Sequence, residues 1–291
     1  MGFAVTVDPK RASRETALGF LAWVQVFAIV AMIAALYFEI VPDLAHEWWT
    51  VDASSYGMLV PPITLYIVYL RRHAILSIPA GSDYRGLWLV TLACVVFLAG
   101  KLSAEFFLAR ISFVILLAGL AWVFWGFRRL RALTFPLILL ATMVPLPAIV
   151  FNTAAAPLQL LASSVATTVA QALGVTIYRD GNVIHLANTS LGVAEACSGL
   201  NSLSALVVGS LLLGFIEDAS ILGRVLLLLL SVPLAIAVNV LRVAGTAVLA
   251  DYHMEFAMGF YHMLSGWLVF ILGFCLLWLL GKLIFRWTRT T

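Results

Sequence analysis

Of 291 residues, 63% are hydrophobic and only 11% are charged, against the roughly 25% charged residues that a soluble domain uses to cover its surface. Apolar runs of about 18 residues or more recur along the whole chain, which excludes a soluble globular domain and implies an all-α polytopic integral membrane protein. The net charge of +3 gives no reason to invoke nucleic acid; the placement of the charges along the chain is what informs.

The amino-terminal stretch "MGFAVTVDPKRASRETALGF" carries Lys10, Arg11 and Arg14 ahead of an apolar run that reaches Val41. That run is too long for a signal-peptide core and lacks a small-x-small cleavage site, so it reads as a retained first span. The loose fit of "MGFAVT" to a myristoylation pattern is put down to chance. Spans are predicted at 18–41, 57–71, 86–104, 107–127, 134–150, 197–216, 224–248 and 261–283, eight in all. Lys10, Arg11, Arg14, Arg71, Arg72, Arg85, Arg128, Arg129, Arg131, Arg224, Lys282, Arg286 and Arg289 then fall on one side, 13 of the 17 cations. Lys101, Arg110, Arg179 and Arg242 fall at or near the other. The positive-inside rule makes the first side cytoplasmic, with both termini on it; the membrane is read as a bacterial-type inner membrane.

Three outer segments stand out. Val41–Pro62 contains the Trp48-Trp49 pair, suited to an interfacial belt. Phe151–Gly174 is amphipathic and rich in small residues, and is predicted to lie along the outer interface as a helix. In Val175–Ala196, β-prone runs flank Asp180-Gly181-Asn182, a hairpin signal. No internal repeat is visible, and residues 1–291 read as a single membrane-embedded domain.

Helix rise selects the chemistry. Cys197 lies about 30 Å of helix before the inner Glu217-Asp218 pair, Arg242 about 27 Å after the inner Arg224, and His262 about 30 Å before the inner Lys282. A thiol, a guanidinium and an imidazole on three helices thus share the outer level. The helix after Cys197 runs inward, so its positive dipole end faces the thiol and favours the thiolate. Glu195 opposes this unless it caps the helix, and Gly199 leaves room for a substrate backbone. Cys94 and Cys275, near mid-span, read as inert packing residues.

Arg242 beside an apolar run needs a partner or a task, the alternative being that it snorkels to the interface. Asn239, three residues earlier, shares its face and could help it hold a carbonyl, carboxylate or oxyanion. For His262 the alternative is simple solvation. His46, His185 and His253 make no zinc spacing with it, so neither a metal nor another cofactor is expected. "NTS" at Asn188–Ser190 fits a glycosylation acceptor, and no Gly-rich phosphate loop appears. Two rival classes stay open: a transporter or channel with Arg242 as an outer anion site, supported by the helix breaks at Pro145–Pro147 and Pro233, and a non-catalytic envelope-assembly protein.

The stretches "VAEACSGLNSL", "NVLRVAGTA", "HMLSGWLVF", "SSYGMLVPPITLYIVYLRR", "MVPLP" and "DGNVIHL" together resemble the exosortase/archaeosortase family of membrane transpeptidases, in the family's order and over nearly the whole chain. The resemblance implies catalytic Cys197, Arg242 and His262, with Glu195, Ser198, Gly199, Asn201 and Asn239 supporting or binding substrate. It implies exported protein substrates that end in a short motif, often Pro-Glu-Pro, a hydrophobic helix and a basic cluster. These would be cleaved at the outer (periplasmic) face through a thioester and passed to an envelope carbohydrate or lipid acceptor. Two positions depart from the pattern: Tyr56 stands where the serine-x-glycine motif often has His, and Asn201 where Arg often follows "CSGL". They bear on the substrate motif and the subgroup.

Overall fold

The structure, a computed structural model, describes residues 9–186, 190–192, 200–253 and 259–290. The chain divides into two compact units at the His46/Glu47 boundary. The first holds α1 (Pro9–Leu36), which meets α2 (Ile40–Thr50) at a bend of 56°, and the boundary falls within α2. α1 covers residues 18–36 of the predicted first span as one helix, and the bend falls where that span ends.

In the second unit, the end of α2 is followed by a 3-10 helix, Asp52–Leu59, which runs into α3 (Val60–Leu70). Pro61 and Pro62 sit in the first turn of α3, where a missing N–H breaks no intrahelical bond. After α4 (Arg72–Ser77), α5 (Leu87–Leu102) and α6 (Phe106–Ala141) pack side by side. Glu105 caps α6 by accepting from the Phe107 N–H at 3.4 Å.

The helical run of α6 is broken at Gly126, whose φ of 81° and ψ of 164° lie outside the helical region. A Cβ there would also stand 2.6 Å from the Gly81 carbonyl oxygen, so both backbone angle and space require glycine. The loop before α5 is stitched to this break. The Asp83 N–H donates to the Val123 carbonyl at 3.0 Å, Trp122 Nε1 to Asp83 Oδ2 at 2.9 Å and Arg129 Nε to the Ile78 carbonyl at 2.8 Å.

The predicted fifth span, 134–150, does not exist as one helix. The chain leaves the helix at Ala141, and Pro145 and Pro147 force extended backbone ahead of α7 (Ala148–Ala172). α7 is the helical segment expected to lie along the outer interface. It has 25 residues and meets the length and hydropathy needed to cross a membrane. Its small residues Ala162, Ala166 and Ala170 are buried in one cluster with Val243, Ala244, Ala247 and Ala250 of α9 (Ile221–Tyr252). Small side chains one turn apart let two helices approach closely, and this seam uses the small residues of the segment.

The expected hairpin is present as β1 (Ile177–Asp180) and β2 (Val183–Leu186), antiparallel with Asp180 opposite Val183. A third strand, β3 (Ser190–Gly192), extends it on the β2 side, with His185 opposite Ser190. Three residues were too few to signal a strand in the sequence. α8 (Leu200–Ile216), α9 and α10 (Gly259–Thr290) complete the chain. Among the described residues five helices are long and apolar enough to span a membrane, six with the bent pair counted as one. Two of the eight expected spans, α3 and α8, are shorter apolar helices.

Candidate functional site

Helices α8, α9 and α10 form one packed bundle with alternating directions. Glycines let the three helices touch. A Cβ at Gly273 of α10 would stand 3.3 Å from the Val238 side chain and 3.5 Å from Leu206. Leu206, Leu227 and Leu277 are almost completely buried in the core they share. Leu206, Val238 and Gly273 therefore mark one level, from which the outer ends can be measured. At 1.5 Å per residue, Arg242 lies about 6 Å beyond that level, Leu200 about 9 Å and His262 about 16 Å.

The Arg242 side chain closes part of this spread. Its guanidinium is laid against Gly266 of α10, with Nη2 3.1 Å and Cζ 3.2 Å from the place a Cβ would occupy. His262 precedes Gly266 by one turn of the same helix. The arginine thus reaches outward along α10 toward the turn that carries His262, whose backbone is helical there. Asn239, one turn before Arg242, is buried, and Thr246 Oγ1 donates to the Arg242 carbonyl at 2.9 Å. Cys197, Glu195, Ser198 and Gly199 lie outside the described residues, and Asn201 and His262 are placed by their backbone alone. The chain enters α8 three residues after Cys197, at Leu200.

On its other side, α9 is braced just beyond Arg242 by α7 and the sheet. Val175, Ile177, Ile184 and Leu186 join the cluster around Val243 and Ala247. Gln171 Nε2 donates to the Ile177 carbonyl at 2.9 Å, and Ser163 Oγ to the Gly181 carbonyl at 3.2 Å. His185 Nδ1 lies 2.7 Å from Ser190 Oγ, tying β2 to β3. That strand ends at Gly192, five residues before Cys197, so the approach to the cysteine starts from a fixed sheet.

A cavity of about 500 Å³ opens beside the start of α8, lined among others by Tyr56, Phe106, Arg110, Pro147 and Ser204. The Tyr56 side chain is hydrogen-bonded to Ser204, in the second turn of α8. In its wall Arg110 is buried and pairs with Glu47 at 2.5 Å, while Ser54 Oγ lies 3.4 Å from Glu47 Oε1. Trp48 Nε1 donates to the Met143 carbonyl at 2.9 Å. A Cβ at Gly57 would collide with that indole, so the glycine of "SSYG" is what lets Trp48 cross to the "MVPLP" loop.

Glu47, Arg110 and the Tyr56–Ser204 contact were not among the sequence candidates, although Arg110 was marked as one of four outer cations. Cys94 and Cys275, expected in packing, are exposed on α5 and α10. Among the described residues no group of three or more His, Cys, Asp or Glu is arranged to hold a metal ion.

The family model described as Transmembrane exosortase (Exosortase_EpsH) matches residues 48–279. No match is found among curated proteins or among solved structures.

Proposed function

The chain belongs to the transmembrane exosortase family, and on that premise we propose that it is a cysteine transpeptidase of exported proteins that carry a C-terminal sorting signal. The observation that carries this reading is the Arg242 guanidinium seated on Gly266, one turn from His262. This seat lies at the end of the bundle where α8 begins, three residues after Cys197. The Cys197 thiolate attacks a backbone carbonyl of the substrate, and the oxyanion is stabilised by Arg242 with help from Asn239. The tetrahedral adduct collapses with C–N cleavage to a thioester, and imidazolium His262 gives its proton to the leaving amine. Neutral His262 then takes a proton from the acceptor, whose attack on the thioester carbonyl expels the thiolate. An envelope acceptor makes the reaction a transfer, and water makes it a proteolysis.

In the membrane the reading is of eight passes, with α6 crossing twice about its break at Gly126, the shorter α3 and α8 crossing as well and α7 along the outer interface, both termini cytoplasmic and the reaction at the outer face. The cation distribution supports that orientation.

Cys197→Ala and Cys197→Ser are both expected to insert normally and to leave substrate at its precursor length. The enzyme–substrate adduct of the wild type should be trapped and released by hydroxylamine, as a thioester is. Mature substrate accumulating in cells that hold only Cys197→Ala would end this reading.

A further inference from the structure

The cavity beside α8 contains chemistry that the mechanism above does not use. The Arg110 side chain is nine-tenths buried and offers five N–H donors in a fixed fork. Among the described residues its contacts are the Glu47 carboxylate and the Phe106 ring, 5.5 Å from the guanidinium carbon. Glu47 balances its charge, so what Arg110 still has to give is hydrogen bonds. None of its side-chain nitrogens is both buried and unpartnered, so the remaining N–H groups open on the cavity Arg110 lines, where a ligand rich in acceptor oxygens would meet them. The rest of the lining is mixed, with Phe106, Phe107, Phe151 and Pro147 beside the polar Glu105 and Asn152.

Size narrows the occupant. A space of about 500 Å³ suits a small ligand or a few extended residues, whereas a helix is about 10–12 Å across with its side chains and needs a groove. A short extended peptide offers both acceptor carbonyls for Arg110 and apolar groups for the aromatic and prolyl wall.

We infer that this cavity is the subsite for an extended segment of the protein substrate, with Arg110 reading an oxygen acceptor on it. The assignment rests on the peptide-transfer reading and gives that reaction a specificity-determining residue outside the Cys197, Arg242 and His262 set. The oxygen can belong to a backbone carbonyl or to a side-chain carboxylate.

The test uses the full chain in phospholipid nanodiscs and the photo-crosslinking probe Ac-Ala-Gln-photoleucine-Ala-NH2. Labelling is expected within 104–107 or 145–152, in the wild type and equally in Cys197→Ala. Arg110→Gln alone leaves Glu47 unmatched in the wall, so the decisive variant is Glu47→Gln with Arg110→Gln, which keeps a neutral hydrogen-bonding pair. It should reduce labelling about tenfold, the loss of one hydrogen bond to a charged donor. Equal competition by Ac-Ala-Gln-Leu-Ala-NH2 and Ac-Ala-Glu-Leu-Ala-NH2 assigns a backbone carbonyl, and much stronger competition by the glutamate peptide assigns a carboxylate. Labelling unchanged in the double variant, or strongest competition by Ac-Ala-Lys-Leu-Ala-NH2, overturns the inference. If substrate is processed normally while the cavity stays unlabelled, the subsite falls and the transferase stands. If the cavity is labelled but Cys197→Ala still matures substrate, the reverse holds.

Discussion

The two ends of the bundle handle charge in opposite ways. At the cation-rich end, Asp218 lies between Arg71 at 3.9 Å and Arg224 at 3.5 Å, and its side chain is 83% exposed. Glu217 and Lys282 pair at 3.3 Å, the lysine half-exposed. These are wet, interchangeable contacts of the kind that orient a membrane protein and contribute little energy each. At the other end the described cations include Arg110, buried against Glu47, and Arg242, held against the backbone of α10. Many exposed charges at one end fit a topological signal, whereas a few at the other end are geometrically confined, as the proposed chemistry requires.

The comparison breaks most sharply at Arg242. Arg242→Gln is expected to lower kcat about 100-fold to 1000-fold, as loss of an oxyanion donor does, with the fold retained. Arg71→Gln, at the opposite end, should leave kcat within about twofold, since exposed pairs couple weakly. Single-turnover processing of a substrate in vesicles measures both. Equal losses in the two variants would erase the distinction.

Next in size is stability. Glu47→Met leaves a buried guanidinium without its carboxylate and should cost about 3 kcal/mol in denaturant titration, most of it regained in Glu47→Met/Arg110→Met. Asp218→Asn should cost less than about 1 kcal/mol. A double variant no more stable than the single would mean that the Glu47–Arg110 pair is not the unit that matters.

These expectations also show what the sequence could reveal. That Arg242 and His262 lie toward the same end of the bundle follows from a constant helix rise and the positions of Arg224 and Lys282, although they stand about 6 Å and about 16 Å beyond the shared core level. Helix geometry is local, so it is legible. The Glu47–Arg110 pair joins residues 63 positions apart, and no periodicity encodes such a contact. That α7 is a helix rich in small residues was legible, whereas its seam with α9 was not, because a small-residue stripe looks the same whether it faces an interface or another helix. The break in α6 was looked for at the Arg128–Arg131 cluster and occurs slightly earlier at Gly126, where the close approach of Gly81 decides it. The three-residue β3 was too short to signal itself.

A subtler substitution probes how tightly the outer cation is held. In Gly266→Ala the new Cβ would stand about 3.1 Å from Arg242 Nη2, so the guanidinium must give by a few tenths of an ångström. Misplacement by about 1 Å can cost 100-fold in rate, so a loss of about tenfold in kcat/KM is expected here. Unfolding should be nearly unchanged. Full activity in this variant would mean that the seat on α10 is not part of the reacting geometry.

The smallest effect belongs to the cation-rich end and is read by pH. The Asp83 carboxyl is held below its ordinary range by the hydrogen bond from Trp122, then by the Arg85 backbone N–H. A depressed carboxyl means that the unfolded chain binds the proton more readily than the folded one. The contribution of Asp83 is therefore complete above the unfolded value of about 3.9 and is lost as pH falls through the lower folded value. Asp83→Asn should accordingly lose a little stability near neutral pH, with the gap to wild type closing as the pH is taken below about 4. Because Asp83 lies at an exposed loop, added salt should leave the hydrogen-bonded part and remove the contribution of the Arg85 charge. A gap that widened on acidification would reverse the sign of the argument. It would also make the Asp83–Trp122 contact a consequence of the break at Gly126 and not one of the bonds that hold it.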